Sequence, residues 1–203
     1  MVRYVALGDS YAIGTGVEPD QAWPRQLATR LTDLDLDLVA NLAVNGSTAD
    51  DVATEQMPDL ESLAPELASL LVGVNDVVRG VPEERYGARV SEILDGLLQL
   101  LPASRLFAVA TPDYTASRQG GAYGVPEQQR AGVLRNNEIL RGACEYRGIA
   151  YVADTFEISA EISGSAGMLA ADGLHPSGEQ YARWVDAIEP AVRAMLALPS
   201  DDR

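Results

Sequence analysis

Short apolar runs rich in Val, Leu and Ala recur near residues 2 to 7, 36 to 42, 67 to 73, 105 to 111 and 149 to 153, separated by longer stretches of helical period. This alternation constrains the fold more than any other feature. A strand, a helix-length crossover and a second strand make one β-α-β unit, and repeated units give a mostly parallel sheet. The expected class is therefore α/β with five strands. The chain's 203 residues suit one large domain. No internal repeat or low-complexity linker divides it, so residues 1–203 are read as a single domain.

Helices are expected near residues 21 to 33, 83 to 101 and 127 to 147. Ser47 with Asp50 three residues later has the pattern of a capping box for a helix that runs to Met57, where Pro58 stops it. Ser177 with Gln180 repeats the pattern before a last helix, in which Tyr181, Trp184, Val185, Ile188, Val192 and Met195 form one apolar face. Two stretches, Pro112 to Val125 and Thr155 to Ala171, lack clear periodicity and read as long loops after strands, where function concentrates. Arg118, Tyr114, Tyr123 and Met168 are their candidate pocket-lining residues. The alternation from Asp33 to Leu38 reads as a helix end running into an edge strand with solvated carboxylates. Cys144 shares a helical stripe with Val133 and Leu140 and reads as a buried thiol.

Composition narrows the chemistry. All 15 basic residues are Arg, which removes Schiff-base lysines and the P-loop and kinase lysines. One Cys and one His provide neither an intrachain disulfide nor the usual Cys/His zinc sets, though carboxylate-only Mg²⁺ or Ca²⁺ sites stay open. A net charge of −15 repels phosphate backbones and anionic lipid, so nucleic acid is not an expected partner. No run approaches the roughly 18 apolar residues of a membrane span, so integral membrane contact is not expected. The chain reads as cytoplasmic, and a secreted protein whose signal peptide had been removed would read the same way.

An open parallel sheet binds ligands beyond the carboxyl ends of its strands. Strand one runs into Gly8-Asp9-Ser10, strand two into Asn45-Gly46-Ser47 and strand three into Gly73-Val74-Asn75-Asp76, while Asp172-Gly173-Leu174-His175 precedes the last helix. Right-handed crossovers bring these segments to one rim. A serine hydroxyl needs an adjacent base, and histidine, with a reference pKa of roughly 6.5, is the usual one. His175 is the only histidine. Asp172, three residues earlier, lies within reach of its ring across a turn and can fix its tautomer. Candidate oxyanion donors are the Ser10 N–H, the Gly46 N–H and the Asn75 side-chain amide. Glycine at 46 would let backbone approach substrate without a Cβ.

Together these four blocks resemble the GDSL, or SGNH, family of serine esterases and lipases, and the resemblance spans almost the whole chain. It implies a flavodoxin-like three-layer α/β/α fold with a parallel five-stranded sheet. It further implies hydrolysis of acyl esters without cofactor or metal, the substrate being a small-molecule ester. Ser10 would be the nucleophile, His175 the base oriented by Asp172, and Ser10, Gly46 and Asn75 the oxyanion donors. The family usually follows its serine with Leu, whereas this chain has Tyr11, expected to alter the pocket wall. No Gly-x-Ser-x-Gly elbow is present, and Gly14-Thr15-Gly16 lacks the third glycine of a dinucleotide loop.

Each residue also has a plainer reading: Ser10 as a helix N-cap, Asn75-Asp76 and Gly46 as turn residues, Asp172-Gly173 as a turn pair, His175 before Pro176 as a surface residue, and Asp9 as a brace for its own turn. Two functional alternatives stand beside the esterase. One is the same site acting as a carbohydrate deacetylase, thioesterase or lysophospholipase. The other is a non-catalytic binding module on the same scaffold.

Overall fold

The computed structural model describes residues 1–162, 164, 165 and 167–197. Ser163 and Ala166, within the stretch read as a loop from Thr155 to Ala171, lie outside them. Strands β1 (Val2–Gly8), β2 (Leu36–Asn41), β3 (Leu67–Leu71), β4 (Leu106–Val109) and β5 (Ala150–Val152) form one sheet in the order β2-β1-β3-β4-β5. Every neighbouring pair is parallel. This is the flavodoxin-like order, which reverses between β1 and β3 and opens a crevice at their carboxyl ends.

Alternate strand residues face opposite layers, the period-2 rule of a pleated strand. Tyr4, Ala6, Leu67, Leu71, Phe107 and Val109 pack into one core and Val5, Leu7, Ala68, Leu70, Leu106 and Ala108 into the other. The first core is covered by helices α2 (Trp23–Arg30), α8 (Asp154–Ile162) and α9 (Gly178–Ala197). On α9 the predicted stripe of Tyr181, Trp184, Val185, Ile188, Val192 and Met195 is buried throughout. The second core is covered by α6 (Glu83–Leu100), part of α7 (Pro126–Arg147) and the segment after β2. There Leu140 and Cys144 are fully buried, as the stripe predicts. The sheet thus sits between two helical layers, the expected α/β/α sandwich.

Two local expectations need correction. The segment after β2 is capped by Thr48 with Asp51, one residue later than expected, in a closed capping box. Pro58 does not end it: α3 (Ala49–Asp51) passes into a π turn, Val52–Gln56, then a 3₁₀ turn containing Pro58 and α4 (Leu60–Leu63). Proline is tolerated there because it opens a new turn, where its missing N–H would have no partner anyway. The stretch from Thr155, expected as a loop, begins inside α8. Its periodicity was hidden because its inward face is partly polar. Thr155 Oγ1 donates to Ala110 O (2.7 Å), and buried Ser159 Oγ accepts from Gln180 Nε2 (3.1 Å) and Trp184 Nε1 (3.2 Å). Asp33 to Leu38 behaves as expected: a 3₁₀ turn ends at Asp35, in the left-handed region, and leads into edge strand β2, with Asp33 paired to Arg193 at the surface.

Candidate active site

At the end of β1, Gly8 has φ +149, and a Cβ there would lie 2.1 Å from Leu71 O, so only glycine fits against β3. Asp9 then caps the short helix α1 (Ser10–Ile13), its Oδ1 accepting from Tyr11 N at 3.0 Å. The cap is thus Asp9, and the Ser10 hydroxyl is not spent on capping. Asp9 is wholly buried, and its Oδ2 has no hydrogen-bond partner among the described residues. Burial, with a smaller contribution from the Asp76 charge, pushes its carboxyl up to about 7 despite the Tyr11 N–H bond.

After β3, helix α5 (Val74–Val78) carries Asn75 and Asp76. Asp76 accepts from Ala49 N (3.1 and 3.3 Å), tying this block to the start of α3. Burial raises its carboxyl to about 6, and Asp50 and Asp51 add to the rise. Asn75 Nδ2 donates to Ser47 O at 3.0 Å. A carboxamide nitrogen carries two hydrogens, so one stays available beside the cleft that Asn75 lines. Gly46 lies in the turn before Ser47 with φ +86, and its carbonyl accepts from Arg79 Nη2 at 2.7 Å. A Cβ there would meet nothing nearer than Arg79 Nη2 at 3.6 Å. The left-handed backbone, rather than crowding, is therefore what calls for glycine.

The fourth segment is held by an antiparallel bridge between Leu169 and Pro176, with Ala170 N donating to His175 O at 2.8 Å. Within it Asp172 Oδ1 accepts from Leu174 N (2.9 Å) and His175 N (3.0 Å), while Oδ2 lies 2.7 Å from His175 Nδ1. Partial burial opposes ionisation of Asp172, but the bonds from the His175 ring and the two amides outweigh it and hold the carboxyl below its ordinary value. Asp172 is thus suited to accept from Nδ1–H, which leaves Nε2 as the free basic nitrogen. Gly16 makes room for this carboxylate. At φ +89, a Cβ there would lie 3.3 Å from Asp172 Oδ2 and 3.0 Å from Ala170 Cβ.

A cleft of about 80 Å³ joins these segments, lined by Ser10, Tyr11, Asn45, Val74, Asn75, Val78, Tyr114, Tyr123, Leu174 and His175. Ser10, Asn75 and His175 therefore share one cavity. Asp172 stands behind His175, and Gly46 lies in the turn that follows Asn45 without lining the cavity. Tyr11 packs its ring 5.2 Å from the His175 ring, making the wall that its departure from the family pattern led us to expect. Of the four loop residues singled out from sequence, Tyr114 and Tyr123 line the cleft in an edge-to-face pair, with Tyr114 OH held by Gln129 Oε1 at 2.5 Å. Met168 instead lines a separate depression with Ile158 and Arg183, and Arg118 packs against Gly173. Among the described residues no group of three or more His, Cys, Asp or Glu side chains is placed to hold a metal ion, and no helix is long and apolar enough to cross a membrane.

Sequence reading missed the side chains that brace the rim. Asn137 Oδ1 accepts from Thr111 N (2.8 Å) and its Nδ2 donates to Thr111 O (2.9 Å), standing in for a neighbouring strand. Asn136 donates to Gly73 O (3.2 Å), and Tyr86 OH and Thr111 Oγ1 both donate to Val72 O. Gln56 does the same for Gly8. The available signal was polarity on a buried stripe: Asn137 falls between Val133 and Leu140, and Gln56 follows Val52 by four residues.

Comparison with known proteins bears on the fold and the family. No curated protein sequence matches the chain. Among solved structures it is similar to TesA (20% identity, 95% of this chain and 99% of that one, TM-score 0.70). It is also similar to the psychrotrophic esterase EstA from a Pseudoalteromonas species, inhibited by monoethylphosphonate (16%, 98% and 100%, 0.72). A third is the acetylxylan esterase Axe2 from Geobacillus stearothermophilus (16%, 98% and 95%, 0.71). These likenesses establish a shared fold along nearly the full length of each protein. The model of the GDSL-like lipase/acylhydrolase family matches residues 6–183, a span that runs from β1 through the His175 segment into α9, and on that match the chain belongs to this family.

Proposed function

We propose that the chain hydrolyses small carboxylic esters through a covalent acyl-enzyme. The observation that carries this reading is the Asp172–His175 pair at 2.7 Å, whose imidazole opens onto the same cleft as Ser10 and Asn75. Ser10 Oγ attacks the ester carbonyl as His175 Nε2 takes its proton, and Asp172 stabilises the imidazolium through Nδ1. The oxyanion is met by the Ser10 N–H at the start of α1, the Gly46 N–H and the second hydrogen of Asn75 Nδ2. His175 then gives its proton to the leaving alcohol and activates water for deacylation. Residues 1–203 act in this reading as one hydrolase domain, since both helical layers rest on a single sheet.

A second reading keeps the site and changes the substrate. The alternatives are a carbohydrate deacetylase, a thioesterase or a lysophospholipase acting through the same cleft. Rates on p-nitrophenyl acetate, acetylated sugars, acyl thioesters and lysolipids at equal enzyme separate these. Labelling by a fluorophosphonate tests the mechanism itself. One equivalent should attach at Ser10, and both labelling and turnover should vanish in Ser10→Ala. Undiminished turnover in Ser10→Ala would refute the mechanism, and absence of labelling in the wild type would favour a binding module.

A further inference from the structure

We propose that Gln56 is a positioning residue for this site, setting the nucleophile turn against the Gly46 and Asn75 donors. The inference rests on the reading of Ser10 as nucleophile. Gln56 ends the π turn and is 2% exposed. Its Oε1 accepts from Gly8 N at 2.9 Å, and its Nε2 donates to Gly8 O at 2.8 Å. These bonds fall at the end of β1, where Gly8 O still accepts from Val44 N at 3.2 Å but Gly8 N meets the Gln56 carboxamide. Registered pairing with β2 ends at Ala6 opposite Asn41. The carboxamide presents to Gly8 one donor and one acceptor, as the next strand's backbone would. Without Gln56 the buried Gly8 N–H would lose its partner, at a cost comparable to a lost hydrogen bond, while Gly8 O would keep Val44 N.

The same nitrogen reaches Ser47 Oγ at 3.4 Å, and Ser47 O in turn accepts from Asn75 Nδ2 at 3.0 Å. A continuous path therefore runs from Gly8, two residues before Ser10, through Gln56 and Ser47 to Asn75, passing the residue next to Gly46. Gly8, Gln56 and Ser47 are buried and Asn75 is partly buried. Catalysis by oriented donors is steep in position, a displacement of about 1 Å costing up to about a hundredfold. Gln56 hydrogen-bonds to both the nucleophile's strand and the Ser47 turn, so its contribution should be to rate per site as well as to folding.

The test compares Gln56→Met and Gln56→Glu with wild type, measuring kcat and KM for p-nitrophenyl acetate per site titrated with a fluorophosphonate. Positioning predicts per-site kcat down about tenfold to a hundredfold in Gln56→Met with KM within threefold. Gln56→Glu adds a signature that a purely structural role lacks. A neutral carboxyl has one O–H donor and one acceptor and can remake both Gly8 bonds, whereas the ionised form cannot donate. Its kcat relative to wild type should therefore rise several-fold as pH falls from about 8.5 to 6, while the ratio for Gln56→Met stays flat. Asp9, beside Gly8, and Asp76, bonded to Ala49, are present in all three proteins and cancel in the Gln56→Met ratio, while the ionised carboxylate in Gln56→Glu raises their carboxyls further, so the pH response of Gln56→Glu is read against Gln56→Met. Per-site kcat within twofold of wild type in both variants, with losses confined to the number of titratable sites or to Tm, overturns the inference. If Gln56→Met does not fold, the pH ratio of Gln56→Glu alone decides, and a flat ratio refutes. Ser10→Ala is run alongside: retained turnover there overturns the nucleophile reading and this inference with it, whereas lost turnover there with unaltered Gln56 variants overturns this inference alone.

Discussion

Replacing Asp9 by Asn should change how stability depends on pH. In the folded protein burial pushes this carboxyl from its ordinary 3.8 up to about 7, and Asp76 is raised to about 6. Both values lie above those of the unfolded chain, so between about pH 4 and 7 the folded state holds protons that the unfolded state has released. Stability accordingly falls as pH rises through that window and levels off above it. For Asp9 the shift corresponds to roughly 4 kcal/mol, at about 1.4 kcal/mol per unit. In Asp9→Asn the side-chain oxygen still accepts from Tyr11 N, but the new amide nitrogen takes the place of the unpartnered Oδ2, at a cost of about 1 to 3 kcal/mol. The variant should therefore gain about 1 to 3 kcal/mol over wild type above pH 8 and be equal or less stable at pH 5. Its remaining pH dependence should come from Asp76 and end near pH 6. Urea unfolding at half-unit steps reads this directly: with m near 2 kcal/mol/M, the midpoints should separate by about 0.5 to 1.5 M at high pH. Parallel stability curves for the two proteins from pH 5 to 8.5 would refute the assignment of a buried, titrating Asp9.

Three further outcomes follow from the geometry. Gly16→Ala forces a left-handed alanine against Asp172 Oδ2, so it should cost about 1 to 3 kcal/mol and lower kcat, read by thermal unfolding and ester hydrolysis; wild-type kcat would show that Asp172 can shift freely. Asn75→Ala removes one of the proposed oxyanion donors and should lower kcat by about a hundredfold or more, corresponding to about 2.7 to 4 kcal/mol, with KM little changed. Cys144 is fully buried and its thiol is raised to about 12 by desolvation, so it should resist a chromogenic disulfide reagent in the native protein and react in urea; fast native reaction would place it at the surface.

Much of this molecule was legible from residue order because the relevant physics is local. The five strands fall where the apolar runs lie, and α9 buries its predicted stripe. The Asp172-to-His175 spacing within one turn delivers the 2.7 Å contact. The misreadings have an equally local cause. Thr155 and Ser159 put polar groups on the inward face of α8 and erased its apolar period, and Thr48 competed successfully with Ser47 for the cap because Asp51, not Asp50, returns the bond. Met168 was grouped with the cleft by its loop, yet the fold sends it to another depression.

Residue order alone thus determined the sheet, its layers and the segments that meet at the cleft, since strand period, helical period and short-range turns depend on neighbours a few positions apart. The tertiary structure alone decided that Asp9 is sealed from water, that Gly16 clears space for Asp172, and that Gln56 and Asn137 complete the broken edges of β1 and the chain beyond β4. Those outcomes depend on contacts between residues 26 to 156 positions apart, such as Thr111 with Asn137 and Gly16 with Asp172. Such contacts exist only once the crossovers have closed and each buried polar group has had to find a partner, or go without one, in the space that remained.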